Sequence, residues 1–244
     1  DSTGAPLAPV SGAGVAWVDA RVVRPPRARS ALPAWLQDAP LMTWQSIAGT
    51  SLSGAAAGLG LTSGEAANLG AYSGAVLMDD ATVLVQGGGH TDTAGNGVYG
   101  INLLADAPAW AVIGAARDRA PRDVAPTNDG YYYPYDGHPV ELHSYWHIHY
   151  DATSRRFIRT NSGGIGNPLI GRAPNTDSLD VDAGTWDGKD VWQDHMQTAP
   201  DGAAEVHVPP LRKVFRFGAI GSAPSLAVLD IASKTWASLG APSG

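Results

Sequence analysis

Apolar and polar residues alternate along this chain in short runs separated by Gly, Pro, Asn and Asp, the pattern of half-buried β-strands rather than helices. The clearest set of runs occupies residues 71–77, 82–85, 97–102 and 110–113. It predicts four strands in a meander. A second set follows at 145–150, 156–159, 177–182 and 185–186, and a third at 205–208, 213–217, 225–230 and 235–239. Residues 1–40 have no such rhythm. They are rich in Ala, Pro and Gly, with one apolar run at 15–18 and a basic, proline-broken patch at 21–29, and they read as a linker or arm.

The three sets share an order of parts. A tryptophan opens the last strand of each (Trp110, Trp186, Trp236), and Trp44 stands where an earlier unit would close. Glycines follow the second strand: Gly87, Gly88 and Gly89 in the first unit, Gly163 and Gly164 in the second, Gly218 alone in the third. Units of about 50 residues with four strands are a known repeat class. With the stretch from Gly87 to Tyr99 as its most specific segment, the chain resembles kelch-repeat β-propellers of the galactose-oxidase central-domain type, which occur in bacterial secreted proteins and phage tail proteins. The resemblance implies an all-β, kelch-type β-propeller of four-stranded antiparallel blades. It spans residues 41–244 as a closing strand plus three blades, with a long insertion at 114–142. Closed propellers usually hold four to eight blades, so this is part of a ring. Further blades, or other subunits, would complete it, and further blades are the preferred expectation. The first residue is Asp1 rather than Met, which suggests a processed product or an excerpt of something longer.

Composition narrows the function classes. The net charge is −7, with no long Lys or Arg run, which argues against nucleic acid as a partner. No apolar segment approaches the ~20 residues needed to span a bilayer, so membrane insertion is not expected. The chain has no cysteine. That removes thiolate metal sites and also the cysteine-linked tyrosine of copper radical oxidases, the activity that a likeness to galactose oxidase brings to mind.

Several clusters are candidates for chemistry. On a strand, His143, Tyr145, His147 and His149 would share one face. His147 and His149 then form a His-x-His pair able to bind zinc with a third ligand such as His90 or His195. The alternative is a set of blade-interface histidines hydrogen-bonded to backbone. Asp92 and Asn96, in a glycine-bearing loop, are candidate Ca²⁺ ligands or, alternatively, turn formers. No cofactor is required by either motif. The carboxylates Asp177, Asp180, Asp182, Asp187, Asp190 and Asp194 crowd one region; a glycosidase pair is conceivable, but acidic turns explain them better.

The insertion carries Tyr131, Tyr132, Tyr133, Tyr135 and His138. Long loops on rigid scaffolds carry binding, and clustered tyrosines suit sugar rings or a protein surface. A plug folded over the blade edge is the competing reading. The expectation is a non-enzymatic recognition or scaffold module at an extracellular or virion surface, such as a phage tail fibre, binding a glycan, protein receptor or partner subunit. The alternative is a carbohydrate-active lyase or hydrolase with its catalytic residues in the propeller funnel.

Overall fold

The computed structural model describes residues 32–40, 73–86, 97–114, 144–160, 176–188, 190–193, 203–220 and 223–240, with Pro139 and isolated positions between 44 and 55. The described chain is all-β apart from a one-turn helix, Ala34–Gln37, helical positions at Leu52 and Ala55, and a 3₁₀ turn, Pro209–Leu211. No helix among the described residues is long and apolar enough to cross a membrane.

Among the described residues, twelve strands form three four-stranded antiparallel sheets. Sheet 1 contains β1 (Gly74–Leu77), β2 (Thr82–Gln86), β3 (Val98–Asn102) and β4 (Trp110–Gly114). Sheet 2 contains β5 (Ile148–Asp151), β6 (Arg156–Arg159), β7 (Asp177–Asp180) and β8 (Thr185–Trp186). Sheet 3 contains β9 (Ala204–Val208), β10 (Lys213–Ile220), β11 (Ala223–Asp230) and β12 (Thr235–Gly240). Within each sheet every strand pairs with its sequence neighbour. These are the three meanders that the alternation predicts.

Aspartates close the tight turns. Asp180 Oδ1 accepts the backbone N–H groups of Asp182 (3.0 Å) and Ala183 (2.9 Å), and Asp230 Oδ1 accepts those of Ala232 (3.0 Å) and Ser233 (3.1 Å). Asp80 and Asp151 do the same at the β1–β2 and β5–β6 turns. A short acceptor at a strand end satisfies turn N–H groups that the ladder leaves without partners.

The side-chain period of two then stacks sheet on sheet. Ile148, Tyr150, Phe157 and Leu179 of sheet 2 share a buried cluster with Met78, Leu84 and Val98 of sheet 1. From the opposite side of sheet 2, Ile158 joins Val214, Leu229, Ile231 and Trp236 of sheet 3. A third cluster, Leu52, Val85 and Tyr99 with Trp110 against it, lies on the far face of sheet 1. The tryptophans opening β4 and β12, and Trp186 of β8, each belong to a different one of these layers.

Two expectations are corrected. Trp44 lies in no strand and is fully exposed, so it forms no closing strand among the described residues. Strand β5 starts at Ile148 rather than Tyr145, because Tyr145 has φ 38° and residues 144–147 form a turn closed by His147 N–H to Ser144 O at 2.7 Å.

The meander also sorts the connections. A four-stranded antiparallel sheet begins and ends at the same end. The strand ends joined by the long connections 87–97, 115–147, 160–176 and 187–203, and by the two-residue connection 221–222, therefore share one end, and the shorter turns, four of them closed by an aspartate, occupy the other. The sheets align in this respect: Ser144, before β5, accepts from Gly74 N at 2.7 Å and donates to Gln86 O at 2.6 Å, at the start of β1 and the end of β2.

Candidate functional site

At the connection end, between sheets 2 and 3, polar residues are buried together. Register explains how. Ile148 and Tyr150 point into the layer shared with sheet 1, so His149 between them faces sheet 3, and His147, two residues before it, comes to the same side. From sheet 3, Glu205 on β9 lies directly opposite Arg216 on β10. Thr160, just after β6, completes the group.

Glu205 is the centre. Its side chain is fully buried, with His147 Nδ1 3.1 Å from Oε1 and His149 Nε2 2.7 Å from Oε2. Arg216 Nε donates to Oε1 and Thr160 Oγ1 to Oε2. Arg216 also donates to Thr160 O and stacks over the Trp236 ring, 5.1 Å from its centroid. Burial alone would push the Glu205 carboxyl up, but the His147 and His149 contacts and the Arg216 charge outweigh it and hold the group well below the usual carboxylate range. Two residues along β9, His207 sits with its ring centroid 6.0 Å from that of His149. Burial and the neighbouring His149, opposed by Asp151, depress its pKa to about 4.

A carboxylate whose two oxygens are taken up by four neighbouring groups, inside a closed layer, is arranged as a clamp between sheets. Hydrolysis by a carboxylate pair needs a second carboxyl and room for substrate. Sheet 2 repeats part of the device internally: Arg159 pairs with Asp177 opposite it on β7, and its guanidinium lies 5.8 Å from the Trp186 centroid.

Asp182 and Asp187 of that region serve structure. Asp182 pairs with Arg155 at 2.8 Å, and Asp187 with Arg156 at 2.7 Å while accepting Trp192 Nε1–H at 2.8 Å. Among the described residues no group of three or more His, Cys, Asp or Glu side chains is arranged to hold a metal. His90, His143, His195, Asp92, Asn96 and Asp194 lie outside the described residues, as do Tyr131, Tyr132, Tyr133, Tyr135 and His138.

Sequence reasoning brought His147 and His149 to one face but missed Glu205, Arg216 and Thr160. A signal existed. In β9 the polar residues Glu205 and His207 alternate with Ala204, Val206 and Val208, and the structure turns the polar set toward sheet 2 while leaving Val206 48% exposed. Trp146 was missed as a surface feature: it is 49% exposed, its indole N–H is bonded to Ala203 O, and its ring centroid lies 5.6 Å from that of Tyr145. Compared with known proteins, the chain matches no family model and no curated protein.

Proposed function

We propose that this chain is part of a kelch-type β-propeller that acts as a recognition module at an extracellular or virion surface. It binds a glycan, protein receptor or partner subunit through the connections at one end of its sheets. The observation that carries this reading is the segregation of connections. Long segments join the strands at one end, the two-residue β10–β11 connection excepted, and shorter turns, four of them closed by an aspartate, join them at the other. A rigid stack with variable connections gathered on one side is the arrangement by which scaffolds present binding surfaces.

The polar cluster supports the same reading over the enzymatic one. Its single carboxylate is enclosed by His147, His149, Thr160 and Arg216, and is spent on joining two sheets. The blade reading draws on three consecutive antiparallel meanders stacked face to face, with Trp186 and Trp236 packed into the layers between them. In sequence, Tyr131, Tyr132, Tyr133 and Tyr135 fall between β4 and β5, outside the described residues.

The test is a binding survey of the whole chain against arrayed glycans and receptor-bearing cells, run beside an assay for new reducing or unsaturated ends in soluble polysaccharides. Saturable binding without turnover is the expected result. Turnover would overturn the reading in favour of a hydrolase or lyase.

A further inference from the structure

The turn before β5 is held in a conformation that a bulky residue seldom takes. Tyr145 has φ 38°, in the left-handed region where side chains other than glycine are strained. The turn is pinned on every side. Ser144 is fixed to Gly74 N and Gln86 O, and His147 N–H to Ser144 O; His147 O in turn accepts the Thr160 N–H at 2.9 Å. Gly74 makes room for it: a Cβ there would lie 1.6 Å from Tyr145 O. Strain that the surroundings over-determine at this level points to a purpose for what the turn displays.

What it displays is an aromatic pair. Trp146 leaves 49% of its surface exposed, yet its polar edge is already satisfied by Ala203 O across the seam to β9. The indole's one polar atom is thus already bonded and the His147 ring centroid lies 6.0 Å from its own, so what the side chain offers to solvent is apolar ring. Tyr145 stands beside it at 5.6 Å with 39° between the ring planes, forming one wall of a shallow open angle. A negative aromatic face that is already ordered attracts the slightly positive C–H groups of a sugar ring at small entropic cost.

We propose that Trp146, flanked by Tyr145, is a stacking platform for one neutral pyranose ring. The inference rests on the recognition reading above and names a site within it. Two tilted rings match the size of a single sugar, whereas a stable protein interface needs about 800 Å² per partner. The net charge of −7 opposes a phosphorylated, sulfated or uronic ligand.

The test labels the full chain with fluorotryptophan, which gives one fluorine resonance for each of its 8 tryptophans. Maltohexaose, cellohexaose, laminarihexaose and chitohexaose are titrated in turn. Trp146→Phe identifies the Trp146 resonance by its loss. The expected result is a saturable shift of that resonance with at least one sugar, and an affinity at least about tenfold weaker in Trp146→Ala. Trp146→Phe retains most of the binding, because it keeps a face. Tyr145→Gly accepts the left-handed φ while removing the wall, so it weakens binding without lowering the melting temperature. If Trp146→Ala does not fold, the wild-type shift and the other two variants still decide. Sugar binding that moves other tryptophans and survives Trp146→Ala overturns this site and leaves the recognition reading standing. No response to any of the sugars overturns the platform, and specific binding to receptor-bearing cells in that case would keep the broader reading.

Discussion

His149 Nε2 lies 2.7 Å from Glu205 Oε2, so sheets 2 and 3 are joined through a buried carboxylate as well as through apolar side chains. The same carboxylate pairs with the buried guanidinium of Arg216. Stability of the seam between the sheets is therefore an electrostatic matter in addition to a packing one.

Replacing Glu205 with Gln keeps the shape and removes the charge, leaving the Arg216 guanidinium buried without its carboxylate. Breaking one side of a buried pair costs about 3–5 kcal/mol, whereas replacing both sides with apolar groups costs much less. Urea denaturation should give a loss of that size for Glu205→Gln. The double variant Glu205→Leu, Arg216→Met should recover a large part of it.

His207 sets an acid limb. Its folded pKa of about 4 lies below the ordinary 6.5, so the unfolded chain takes up this proton first as the pH falls. Its contribution is complete above pH 6.5 and is lost progressively down to about 4. Glu205, held below its ordinary 4.5, adds its own loss only beneath that value. Urea midpoints measured across this range should fall in the wild type, and His207→Gln should flatten the upper part of the curve and leave the lower part.

Gly74→Ala inserts a methyl group 1.6 Å from Tyr145 O, where backbone cannot yield without moving the turn. Overpacking of this kind costs about 1–3 kcal/mol or more. Gly188→Ala is the control: the nearest atom to its Cβ is 3.8 Å away, and its melting temperature should match the wild type closely.

The turn aspartates separate from the surface ion pairs. Asp230→Ala removes two side-chain acceptor bonds to turn N–H groups along with an exposed pair to Lys213, and should cost about 1 kcal/mol, most of it kept at high salt. Asp182→Ala breaks an exposed pair with Arg155 and should cost less than about 1 kcal/mol, vanishing at high salt. Denaturation at low and high salt distinguishes the two.

Strand order was legible because each run alternates with period two and ends at a turn-forming residue. The run at 156–159 matches β6, and 185–186 matches β8. The boundary of β5 was not legible. Tyr, Trp, His, Ile, His and Tyr are all good strand residues, and only the hydrogen bonds of Ser144 to sheet 1 reveal a turn there. Glu205 was missed for a related reason: alternation identifies two faces but not which one meets a neighbour. Its partner His149 lies 56 residues away. Local pattern carries no information over that separation.

The segregation of connections also fixes how the molecule stands on a solid support. The sequence has three lysines, Lys189, Lys213 and Lys234. Lys213 opens β10 after the Pro209–Leu211 turn, and Lys234 belongs to the β11–β12 turn, so both sit at the end of the tight turns, each with a little over a third of its side chain exposed. With Lys189, which falls in the 187–203 connection, replaced by Arg and the α-amine blocked, amine-reactive immobilisation through these two tethers the protein by the end opposite the strand ends that its long connections join. A sensor chip or bead prepared in this way presents outward the end proposed to bind ligand.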